Sequence, residues 1–170
     1  MSHGESMTLN ALLHWLKETP LSQAISESDW LFPSIESLHV IAITLVVGSI
    51  AVVDLRLLGV ASRNRSAAAV THAVVPLTWV AFVIAAATGL ALFIAKPVTY
   101  GHNSFFLFKM ALIVLAGVNM AAFHAFVQKR LDQLPAAAAP RWSLAQTSGL
   151  ASLILWTAVV ACGRWIGFTI

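Results

Sequence analysis

The chain has 170 residues, of which 59% are hydrophobic and 10% charged, and its mean hydropathy is +0.83. A soluble domain carries about 25% charged residues, so this composition excludes a water-facing globular surface and makes lipid the main solvent. The net charge of +3 does not point to nucleic acid, because the basic residues stand in ones and twos beside apolar stretches, as topology signals do.

Residues 1–30 read as an N-terminal segment ahead of the membrane domain. Leu9, Leu12, Leu13 and Leu16 recur at helical spacing, with His14, Trp15 and Lys17 at the margins, which predicts an amphipathic helix over 8–18 lying flat on the membrane surface. Pro20 ends it, and 21–30 leads to Trp30, an interfacial aromatic at the mouth of the first span.

Residues 31–170 hold four stretches long and apolar enough to cross about 30 Å of hydrocarbon, at about 34–58, 74–96, 105–127 and 144–168. Pro33 and Pro76 fall in the first turns of spans one and two, where a missing N–H costs little. The turn-rich PVTYGHNS precedes span three, and PAAAAPRWS precedes span four. The fold class is an all-α membrane protein: a four-transmembrane-helix antiparallel bundle preceded by a short interfacial helix. Gly48, Gly89, Gly117, Gly149 and Gly163 would let its backbones approach closely.

Arg56, Arg63 and Arg65 follow span one, and Lys129, Arg130 and Arg141 lie between spans three and four, against Lys17 and Lys96 on the other side. For a bacterial inner membrane the positive-inside rule then places the 59–73 and 128–143 loops in the cytoplasm and both termini in the periplasm. The single cysteine, Cys162, lies within span four and reads as a packing residue.

Ionisable residues within a span are expensive and by default face the bundle interior. Sorted by depth at 1.5 Å per residue, Glu36, His39, Lys109 and Arg164 form one polar layer, and Asp54, Asn119 and His124 form a second, with Arg56 and His72 nearer the surface. Glu36 and Asp54 are five full turns apart at 3.6 residues per turn, which predicts one inward stripe on span one. One reading of these layers is structural, with Glu36 paired to Lys109 or Arg164, and Asp54 to Arg56 or Asn119.

The histidines supply the other readings. A b-type haem needs imidazoles at matching depth on facing helices. His72 and His124 come closest, with His39 as a second candidate and Lys109 and Arg164 suited to propionates. Such a protein would be an electron-transfer subunit working with a membrane quinone or a periplasmic partner protein. A copper or zinc site would use His39, Glu36 and His102, and proton or small-solute transport is a third reading. No nucleophile with a base and no phosphate-binding loop marks an independent enzyme. Homo-oligomers are compatible with the small-residue faces.

WLFPSIESLH (30–39), VGSIAVVDLRLLG (47–59), TGLALFIAKPVTY (88–100), FFLFKM (105–110), NMAAFH (119–124) and LWTAVVACGRW (155–165) together resemble a bacterial family of small four-helix inner-membrane proteins known as a domain of unknown function. The resemblance implies the architecture and carries no catalytic residue. In shape and composition alone, the bundle is similar to diheme b-type membrane cytochromes and to copper-resistance D membrane proteins.

Overall fold

The computed structural model describes residues 3–61, 67–128 and 144–169. The N-terminal segment folds into two helices, α1 (His3–Lys17) and α2 (Pro20–Ser26). Thr19 caps α2 by accepting from the Ser22 N–H at 3.3 Å, and Pro20 occupies its first turn. The sequence shows 21–30 only as a connection, because seven residues are too few to display a periodicity.

Four long helices follow: α3 (Leu31–Leu57), α4 (Ala67–Ala95), α6 (Ser104–Ala122) and α7 (Leu144–Thr169). A five-residue helix, α5 (Pro97–Gly101), joins α4 to α6. All four long helices have the length and apolarity of membrane spans, the third running on to Val127. The protein is therefore a multi-pass membrane protein, with large side chains such as Val83, Phe108, Val114 and Ile154 turned outward, where lipid is as good a partner as another helix.

Helix α4 starts seven residues before the expected 74, so Pro76 lies inside it rather than in its first turn. Thr71, buried within this added stretch, shows why. The extension packs against the bundle, and tertiary contact outweighs the hydrogen bond that proline removes.

The best-packed pair is α3 with α4, followed by α6 with α7, and α3 also packs on α7. Buried Ala42, Val46 and Ser49 of α3 face buried Ala81, Ala85 and Thr88 of α4. Small side chains at three- and four-residue spacing allow that closeness. On α7, Ala145, Gly149, Ser152, Val159 and Ile166 follow the same spacing. Helix α1 docks at one end of the bundle by setting Leu13 into the notch at Gly101, where a Cβ would lie 2.7 Å from Leu13 Cδ1.

Glu36 corrects the single inward stripe expected on α3. Phe32, Ile35, His39, Ala42, Val46 and Ser49 run along the side packed on α4, whereas Glu36 is exposed. Asp54 is buried because α7 packs on α3 at its level, where a Cβ on Gly149 would lie 3.3 Å from the Asp54 carbonyl oxygen.

Candidate functional site: a lateral cleft between two helices

Helices α4 and α6 meet at the α1 end of the bundle. There Phe93 stacks on Phe106 with ring centroids 5.4 Å apart, and Tyr100 leans on the same ring at 5.7 Å. Burial and the nearby charge of Glu36 push the Tyr100 phenol above its ordinary pKa.

Toward the opposite end the two helices line the two walls of a cleft instead. Val75, Thr78, Trp79 and Phe82 come from α4, and Ile113, Ala116, Gly117 and Met120 from α6. The floor is built by α3 and α7, which press together at this level: a Cβ on Gly149 would lie 3.3 Å from the Asp54 carbonyl oxygen. Trp79 (49% exposed) and Met120 (38% exposed) stand at the rim, so the cleft opens sideways to lipid. It encloses about 150 Å³, a volume that in an apolar cavity accommodates one benzene ring.

The floor is polar and mostly satisfied. Ser49 and Thr78 share a hydrogen bond of 2.8 Å across α3 and α4, and both contact carbonyls of their own helices, Val46 at 2.9 Å and Val74 at 3.1 Å. Asn119 donates to the Ser148 carbonyl, and the Ser148 hydroxyl donates back to Asn119 Oδ1, each at 3.1 Å. Asn119 therefore clasps α7 and does not pair with Asp54 as one sequence reading expected. Asp54, only 5% exposed, has the Ser152 hydroxyl beside its carboxyl, while its Oδ2 has no hydrogen-bond partner among the described residues.

His124 lines the cleft from a π-helical segment, Phe123–Gln128, that continues α6. Its ring sits edge-on to Phe123 at 5.5 Å. A π-helical turn re-aims side chains and recurs at functional sites. His72 is exposed and lies off the cleft, so the cleft wall carries one imidazole of the expected pair.

The other expected layer is dispersed. His39 Nδ1 bonds Thr88 Oγ1 at 2.9 Å, with its ring laid over Gly89, where a Cβ would come within 2.9 Å of Cε1. Lys109 reaches over Gly163, and Arg164 lies on the Phe168 ring at 4.7 Å. His102 is exposed and ties α5 to α1, with Nε2 2.9 Å from Asn10 Oδ1 and Nδ1 2.9 Å from the Val98 carbonyl. Glu36 forms no ion pair with Lys109 or Arg164 among the described residues. Among those residues His, Cys, Asp and Glu do not gather in threes, so His39, Glu36 and His102 are not one cluster.

The sequence reading missed Ser148, Ser152, Thr78, Trp79, Trp156 and the role of Gly117. Ser148 and Ser152 at i, i+4 on one face of span four were the available signal, since paired hydroxyls so placed mark a polar contact between helices. Gly117 allows no close approach, with nothing within 4 Å of a Cβ there. It widens the cleft instead.

A family model spans residues 31–169, from the first residue of α3 to the last of α7. The chain belongs to DUF6644, a family of unknown function. No curated protein and no solved structure matches it. The matched region coincides with the four-span unit that builds the cleft.

Proposed function

We propose that this DUF6644 protein binds a small amphipathic molecule dissolved in the bilayer, which enters the cleft sideways between α4 and α6. The observation that carries this reading is the combination of an apolar, lipid-facing mouth with a buried polar floor in a ring-sized space. Ligand sites have that composition, apolar walls with a few placed polar groups. The head of such a molecule would leave water once, on entering the membrane, and find hydrogen bonds at Asp54 and its neighbours while its tail stays in lipid. A membrane quinone has a head of this size.

The setting we infer is a bacterial inner membrane, with the termini periplasmic and the cleft in the cytoplasmic half. The charge asymmetry supports that orientation, although Arg63, Arg65, Lys129, Arg130 and Arg141 lie outside the described residues. Gly117→Leu tests the reading, because a Cβ at this cleft-lining position meets nothing within 4 Å and the longer side chain takes up space in the mouth. Native mass spectrometry of the protein extracted from its own membranes should show a bound amphiphile that the variant lacks. Equal occupancy in both proteins would contradict the cleft as the site.

A second reading, b-type haem and electron transfer, is favoured by one observation: His124 lines the cleft and its ring nitrogens make no hydrogen bond among the described residues. A porphyrin is much larger than the enclosed volume, so the helices would have to part to admit it. A dithionite-reduced minus oxidised spectrum decides between the readings. A Soret and α band lost in His124→Ala would establish the haem.

A further inference from the structure

Resting on the cleft reading, we infer that the class of molecule it selects is a lipophilic amine, bound as its ammonium ion by the Asp54 carboxylate at the cleft floor.

The hydrogen-bonding inventory around Asp54 leads to this class. A serine or threonine hydroxyl carries one proton. Those of Ser152, Ser148, Thr78 and Ser49 lie against acceptors of the protein itself: the Asp54 carboxyl, Asn119 Oδ1, the Val74 carbonyl, and Val46 O or Thr78 Oγ1. Among the described residues, the buried side-chain atom left without a partner is an acceptor, Asp54 Oδ2, on a side chain 95% buried. Leaving such a group unpaired is costly, and natural structures keep few without a reason. A head group that donates satisfies it, whereas a head group with only carbonyl oxygens adds another acceptor.

The walls favour a cation over a neutral donor. Trp79, Phe82, Phe123 and Trp156 all line the cleft, and aromatic faces attract a desolvated cation. Among the described residues, those lining the cleft include no lysine or arginine. Arg56, two residues along α3, does not line the cleft and is itself engaged in an interaction. The polar and titratable groups that line the cleft with Asp54 from the other elements are Ser152 and Ser148 of α7, Asn119 of α6, Thr71 and Thr78 of α4, and His124 of the π-helical segment. Only His124 among them could carry positive charge.

The test uses the full-length protein in lipid nanodiscs and three probes of similar size: 4-octylbenzylammonium, 4-octylbenzyl alcohol and decyl-benzoquinone. Each carries one ring for the cleft and a tail for the lipid. Binding is read by native mass spectrometry. The ammonium probe should bind about 10-fold or more tightly than the alcohol, the ratio that one charge-assisted hydrogen bond supports. Asp54→Asn should erase that preference while the alcohol still binds. If the alcohol or the quinone matches the ammonium in the native protein, the inference is overturned and the cleft reading survives, provided Gly117→Leu abolishes binding of all three. If all three bind Gly117→Leu as well as the native protein, the cleft reading fails too. Because the three probes are compared first on the native protein, a folding defect in Asp54→Asn leaves that comparison intact.

Discussion

Gly89 and His39 fit each other as notch and ring: the imidazole of α3 lies over the glycine of α4, where a Cβ would stand only 2.9 Å from Cε1, and its Nδ1 reaches Thr88 Oγ1 at 2.9 Å. This contact fixes the register of the best-packed helix pair at the α1 end. Gly89→Ala should therefore cost about 1–3 kcal/mol, as overpacking does, by pushing the ring off Thr88. In a His39→Ala background the same substitution should cost much less, because the methyl then has room. Thermal unfolding of the four proteins of this cycle in detergent measures the coupling, and strictly additive effects would show that the contact carries no energy.

The reciprocal clasp between Asn119 and Ser148 holds α6 to α7 beside the cleft. Interhelical hydrogen bonds of this kind contribute about 0.6 kcal/mol on average and up to about 1.7 kcal/mol. Ser148→Ala removes one of the two bonds and should fall within that range. Asn119→Ala removes both and should cost more. Adding Ser148→Ala to Asn119→Ala should then change little further, measured by unfolding in the same detergent.

How much of this was legible in the sequence depended on the physical signal involved. The four spans were plain, because an unbroken apolar run of about twenty residues matches the thickness of a bilayer, and their limits came out within a few residues except at α4. There the apolar run starts near Val74, but the helix begins at Ala67, since alanines form helix readily without raising hydropathy much. The polar layers were half legible. Asp54 and Asn119 do line one site, whereas Glu36 is exposed: Asp54 is buried by α7 packing on α3 at its level, which no helical period in span one announces. Asn119 lies on that site but holds Ser148 rather than Asp54: the Ser148 and Ser152 spacing marks a polar face on span four, but nothing near Asn119 says that this face, twenty-nine positions away, is its partner. The cleft itself could not be read, because it arises from two helices that stay apart, and Gly117 looks the same in a sequence whether it draws helices together or leaves a gap.

The inferred orientation makes a separate prediction. Reporter fusions at Ala67 and at the C-terminus should report opposite compartments, the first cytoplasmic and the second periplasmic, because an odd number of spans, α4, α6 and α7, separates them. Alkaline phosphatase and green fluorescent protein fusions read the two sides. The same side for both would contradict four spans, and the two sides exchanged would contradict the orientation alone.

The central claim is that lipid-dissolved molecules reach the polar floor between α4 and α6, and photolabelling from within the bilayer tests it most directly. An octyl-substituted aryl diazirine, dissolved in membranes holding the protein and then irradiated, will mark outward residues such as Val83, Val114 and Ile154 in any helical bundle. The account predicts additional labelling of Asp54, Ser152 and Trp156 on the cleft floor, although Asp54 and Ser152 are buried, and its selective loss in Gly117→Leu. Labelling confined to the outward faces, unchanged by Gly117→Leu, would show that the cleft does not admit molecules from the membrane.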